Sequence, residues 1–104
     1  MNESPIIELV LMKPKAAVDE AALLRASDDL MPFLREVGGF IRRELLKTED
    51  NQWVDLVYWN SLAEAQHAAN TIMSKPAGQR LATLLDETSI TLLHLHQVRT
   101  YNSR

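Results

Sequence analysis

Four short segments of this chain carry apolar side chains on both of the faces that a β-strand presents. Successive side chains of a strand point to opposite sides, so the segments divide into two sets. One set holds Ile7, Leu9, Leu11, Ile41, Arg43, Leu45, Val54, Leu56, Tyr58, Leu93, Leu95 and Gln97. The other holds Ile6, Glu8, Val10, Met12, Phe40, Arg42, Glu44, Trp53, Asp55, Val57, Trp59, Ile90, Leu92, His94 and His96. Neither is a clean solvent face. A sheet made of these segments has to be covered on both sides, and alternation alone does not say which set lies under the helices.

The stretches between the segments supply the helices. Ile6 to Lys13 reads as the first strand, closed by Pro14. Val18 to about Val37 reads as a helix with Leu23, Ala26, Leu30, Phe33, Leu34 and Val37 spaced three and four apart. Pro32 lies inside it and is expected to kink it, because proline cannot bond to the carbonyl of Asp28. Gly38-Gly39 stops the helix. Phe40 to Lys47 and Trp53 to Trp59 read as the second and third strands, with a turn at Glu49-Asp50-Asn51. Ser61-Leu62-Ala63-Glu64 fits a capping box, and the inward stripe of its helix reads Leu62, Ala65, Gln66, Ala69, Ile72 and Met73. Pro76 opens a short helix with Leu81, Leu84 and Leu85 inward. Ile90 to Arg99 is the last strand, and Tyr101 to Arg104 a loose tail.

The order β-α-β-β-α-β is the split, ferredoxin-like arrangement. The expected class is α+β, with a four-stranded antiparallel sheet and helices on one face. Residues 1–104 are one domain's worth of chain. If one face lies under the helices, the other is too apolar for a monomer. Packing two such faces together makes a two-fold homodimer, the expected assembly.

The bulk of the chain excludes several functions. Eleven Lys and Arg against fourteen Asp and Glu leave a net charge of −3, which argues against a nucleic-acid partner. With no cysteine, disulfides, thiolate catalysis and cysteine-held metals are excluded. Met1-Asn2-Glu3-Ser4-Pro5 shows no basic flank and no long apolar run, so no signal peptide is expected. No apolar run is long enough to span a bilayer, and a soluble cytoplasmic protein is the default reading. No phosphate loop, dinucleotide fingerprint or nucleophile elbow occurs, so no nucleotide or flavin cofactor is indicated.

His94-Leu95-His96 is the most suggestive local feature. Residues two apart on a strand share a face, and Glu8 has the same parity on the first strand. In this fold the first and last strands are neighbours, so Glu8 can approach the histidines. Two histidines and a carboxylate are the set that open iron sites use. A pocket base is favoured over a metal site, because histidine titrates near neutral pH. Glu8, Arg42, Glu44 and Asp55 are charges set within strands. Such charges usually pair across strands, and the functional alternative has one carboxylate accept a substrate proton while Arg42 steadies the anion. Arg43 has the opposite parity, so only one of the two arginines can face a given pocket. Trp53, Tyr58 and Trp59 are packing residues first and aromatic pocket walls second. His67 lies off its helix's buried stripe and reads as solvated.

Gly39-Phe40, Glu44-Leu45-Leu46-Lys47 and the run Trp53-Val54-Asp55-Leu56-Val57-Tyr58-Trp59 leading into Ser61 and Ala65 resemble the dimeric α+β barrel superfamily, in particular the antibiotic-biosynthesis-monooxygenase-like domains. The resemblance spans Ile6 to Val98. It implies a pocket between sheet and helices, with Trp59 at the pocket position. In the haem-degrading branch Trp59 has its counterpart, but Ala77-Gly78-Gln79-Arg80-Leu81-Ala82 lacks the histidine and Ile6 to Val10 the asparagine, so haem degradation is set aside. The activity the resemblance implies is cofactor-free oxygenation of a small electron-rich aromatic or quinol. Its expected residues are His94 or Glu8 as base, Arg42 as anion stabiliser, and Trp59, Asp55 and His96 against the substrate. The alternatives are a non-catalytic ligand-binding or stress-related dimer and a non-oxidative isomerase or lyase.

Overall fold

The structure, a computed structural model, describes residues 4–104; Met1 to Glu3, read above for a leader, lie outside the described residues. In chain order the elements are β1 (Ile6–Met12), α1 (Glu20–Asp28), α2 (Met31–Glu36), β2 (Phe40–Lys47), β3 (Trp53–Trp59), α3 (Leu62–Thr71), α4 (Pro76–Thr83) and β4 (Thr91–His96). The strands form one antiparallel sheet in the order β2-β3-β1-β4, the ferredoxin-like arrangement. β4 is shorter than the alternation suggests. A tight 3-10 turn at Glu87–Ser89, held by the Asp86 carboxylate accepting from the Thr88 N–H, occupies the chain just before it.

Burial decides between the two strand faces. Ile6, Met12, Trp53, Asp55, Val57 and Trp59 are buried, so their set lies under the helices. Leu23, Ala26, Leu30, Leu34, Ala65, Ala68, Leu81 and Leu85 close the core from above. On the outer face Ile41, Leu46, Leu93 and Leu95 stand exposed.

The first helical region is two helices rather than one kinked helix. α1 ends at Asp28, and Pro32 falls in the first turn of α2, where its missing N–H leaves no bond unmade. The inward stripe survives the break, with Leu23, Ala26, Leu30 and Leu34 all buried. On α3 the stripe runs one step round from the expected one, with Ala65 and Ala68 buried and Gln66 exposed. The helix tightens to a 3-10 turn at Ile72–Ser74, which leaves Met73 half exposed.

The capping box forms in part. The Glu64 N–H donates to Ser61 Oγ (3.2 Å), while the Glu64 carboxylate accepts from the Ser61 hydroxyl (2.9 Å) rather than from its backbone. That carboxylate lies against Gly39, whose φ is +89°. A Cβ on Gly39 would stand 2.2 Å from Glu64 Oε1. Gly39→Ala is therefore expected to lower unfolding free energy by about 1–3 kcal/mol. Gly38→Ala, with ordinary φ, should lose clearly less in the same urea titration. Equal losses would contradict this account of Gly39.

Candidate functional site

The site begins with an irregularity in β2. Phe40 pairs with Trp59 and Arg42 with Tyr58, so Ile41 is an extra residue between two ladder positions. Such a bulge reverses which side chains point inward beyond it. Phe40 packs edge-on against Trp59, ring centroids 5.7 Å apart. Beyond the bulge, Arg43 and Leu45 face the helices, opposite Val57 and Asp55.

Arg43 is the arginine under the helices, in place of Arg42. Its Nε and Nη2 donate to the two oxygens of Asp55 at 2.9 and 2.7 Å. The side chains are only 6% and 10% exposed. Nη1 donates to the Ser27 carbonyl at 2.9 Å. The break before α2 ends α1 there, and a cation at a helix C-terminus is favourably placed. The arginine thus ties the sheet to the helix layer.

Glu8 sits on β1, next to β3. Its Oε2 lies 3.1 Å from His94 Nε2 on β4, directly across the ladder. Both side chains are mostly buried. Burial pushes the Glu8 carboxyl above its ordinary value of 4.5, offset in part by the hydrogen bond and charge of His94; Asp55 raises it further and Arg43 lowers it. A carboxylate that holds its proton more tightly is a stronger base when ionised.

Glu8, Arg43 and Asp55 line a cavity of about 300 Å³ between sheet and helices. The rest of its wall is apolar, with Trp59, Val57 and Met12 below and Leu30, Leu34, Ala68 and Leu81 above. Met73, Ile90 and Leu92 also line it and are 41–52% exposed, so its mouth lies between the α3–α4 connection and β4. The two tryptophans on this face differ. Trp53 Nε1 donates to Asn51 Oδ1 at 3.0 Å. Trp59 is 1% exposed, and its Nε1 has no hydrogen-bond partner.

Of the residues singled out in the sequence, Glu8, Asp55 and Trp59 meet at this cavity, and His94 stands behind Glu8. Arg42 lies on the outer face, its guanidinium 3.8 Å from the centre of the Tyr58 ring and 3.9 Å from Glu44. His96 is exposed, opposite Ile6. Among the described residues, no three His, Asp or Glu side chains cluster as metal ligands would. Arg43 and the cavity's upper wall are what sequence reasoning missed. An unbroken alternation in β2 points both Arg42 and Glu44 inward and Leu45 outward, and that inversion of polarity is the signal for the bulge.

No protein-family model matches the chain, and no curated protein is detectably similar in sequence. Solved structures are similar in shape. A single-site variant of SnoaB, a cofactor-independent oxygenase from Streptomyces nogalater, superposes with a TM-score of 0.73 at 16% identity, covering 93% of this chain and 96% of that one. A Caulobacter crescentus structure named for antibiotic biosynthesis monooxygenases gives 0.73 at 20% identity, covering 93% and 92%. Protein SO0527 from Shewanella oneidensis gives 0.67 at 23% identity, covering 92% and 93%. The chain therefore has the ferredoxin-like α+β fold of the antibiotic-biosynthesis-monooxygenase structures.

Proposed function

We propose that the cavity binds a small electron-rich hydroxyaromatic or quinol and oxygenates it without a cofactor. The observation that carries this reading is a carboxylate of raised proton affinity, Glu8, set in an otherwise apolar cavity with His94 behind it. Ionised Glu8 accepts the substrate's hydroxyl proton. The negative charge passes from Glu8 to the substrate without changing the cavity's total, and the resulting anion is electron-rich enough to give an electron to oxygen directly. One oxygen atom enters the ring and the other leaves as water, so a quinol becomes a hydroxyquinone and supplies all the electrons itself. The likeness to SnoaB supports the reading at the level of fold.

The test is oxygen uptake with 1,4-naphthoquinol and smaller quinols, against the rate of spontaneous oxidation. Uptake that rises in proportion to protein supports oxygenation. Product formed equally well without oxygen would replace it with the isomerase or lyase reading. No turnover of any kind would leave a binding protein.

The proposal includes a partner, a second copy packed on the outer face of the sheet. Ile41, Leu46, Leu93 and Leu95 form its exposed apolar patch, Leu93 being 47% exposed. Light scattering at micromolar concentration should give twice the chain mass, and Leu93→Arg should return it to one. A wild-type monomer would end the idea.

A further inference from the structure

We infer that Asp55 sets the ligand's charge: by holding Arg43 in a two-point ion pair, it withholds the cavity's cation and makes the cavity accept neutral hydroxyaromatics while excluding aromatic carboxylates. The inference rests on the reading of this cavity as a ligand site. Among the described residues lining it, Arg43 is the sole cation, beside two carboxylates. A buried arginine beside an apolar cavity would ordinarily mark a site for an anionic ligand, since its planar fork matches a carboxylate at two points. Here the fork is already filled. Nε and one N–H of Nη2 are taken by Asp55, and Nη1 by the Ser27 carbonyl with Met31 Sδ also alongside at 3.8 Å, which leaves a single N–H on Nη2 and no two-point fork for a ligand.

The charge count runs the same way. Arg43 and Asp55 cancel. Glu8 is then either neutral or negative, and His94 lies on its far side rather than in the wall. A carboxylate ligand would lose its water and find no free cation, an arrangement strongly disfavoured in a buried site. A hydroxyl finds the opposite. Glu8, which lines the cavity, accepts from it. The volume, about 300 Å³, is at the small end for ligand sites and suits one or two rings.

The test is calorimetric titration of the whole protein at neutral pH with 2-naphthol, 2-naphthamide and 2-naphthoate. The amide and the acid share a shape and differ in charge. The expected result is that naphthoate binds about a hundredfold or more weaker than naphthamide. Binding of naphthoate within about tenfold of naphthamide would overturn the inference and leave the cavity reading intact. If none of the three binds, both fall together. Asp55→Asn keeps the shape, releases the guanidinium's charge, and should raise naphthoate affinity at least about tenfold. A gain of that size in Glu8→Gln but not in a folded Asp55→Asn would place the exclusion on Glu8 and overturn the role of Asp55. Should Asp55→Asn fail to fold, the wild-type comparison of amide with acid still decides.

Discussion

Glu8→Gln is expected to lower quinol turnover by about 10²–10⁴-fold, the usual contribution of a positioned acid–base group. The amide keeps the size of the side chain and a partner for His94, but it cannot take a proton. Substrate affinity should change little, so the loss should fall on kcat rather than KM. Stability should move the other way. The acid's native pKa is raised above 4.5 by burial, so its stabilising contribution is complete below that pH and is lost as pH rises through the raised value. His94, Asp55 and Arg43 are the charged or titratable groups that act on it. At pH 7 and above, the Gln variant should melt at or above the wild-type temperature, and the gap should narrow toward pH 4.5. Full turnover in a folded Glu8→Gln would remove Glu8 as the base. A variant less stable than wild type across that range would contradict the desolvation account.

The second large effect separates two adjacent arginines. Arg43→Met leaves the Asp55 carboxylate buried without its partner and is expected to cost about 3–5 kcal/mol. For a domain of this size that is a melting-temperature fall of roughly 15–30 °C, or loss of folding. Arg42→Met gives up an exposed stack on Tyr58 and a distant contact with Glu44, worth under about 1 kcal/mol. The double change Arg43→Met with Asp55→Leu should recover most of the loss, because no charge is then stranded. Equal effects at the two arginines in chemical unfolding would refute the assignment of Arg43 to the inner face.

What could be read from the chain alone follows from which rules hold locally. β1 and β4 keep strict alternation, so counting parity from Glu8 and His94 was enough to bring them together once the topology made the strands neighbours. β2 breaks alternation at Ile41, and every inference across that point reversed, Arg42 for Arg43 among them. The first helix was legible as a stripe but not as two pieces, since leucines spaced for one helix also serve two nearly continuous ones. The resemblance implied a pocket between sheet and helices, but the cavity's upper wall was illegible in the residues themselves, for another reason. Ala68, Ala69, Gly78 and Ala82 line it, and small residues in a helix read equally well as close packing or as empty space. Only the placement of the helices over the sheet decides which.

The extra residue at Ile41 also bears on how the chain rejects a wrong fold. Without it, counting on from the Phe40–Trp59 pair, Arg42 would stand opposite Val57 and Glu44 opposite Asp55. Two carboxylates would then face each other under the helices while Leu45 turned outward. Like charges directly opposite repel, and here they would do so away from water. The two consecutive arginines make the slipped pairing superficially acceptable, since an arginine faces inward either way. The glutamate one place further on is what makes it costly. In the observed pairing Leu45 takes that place opposite Asp55, and Glu44 goes to the outer face beside Arg42. An edge strand is the part of a sheet freest to slide, and in this one a single carboxylate marks the wrong position.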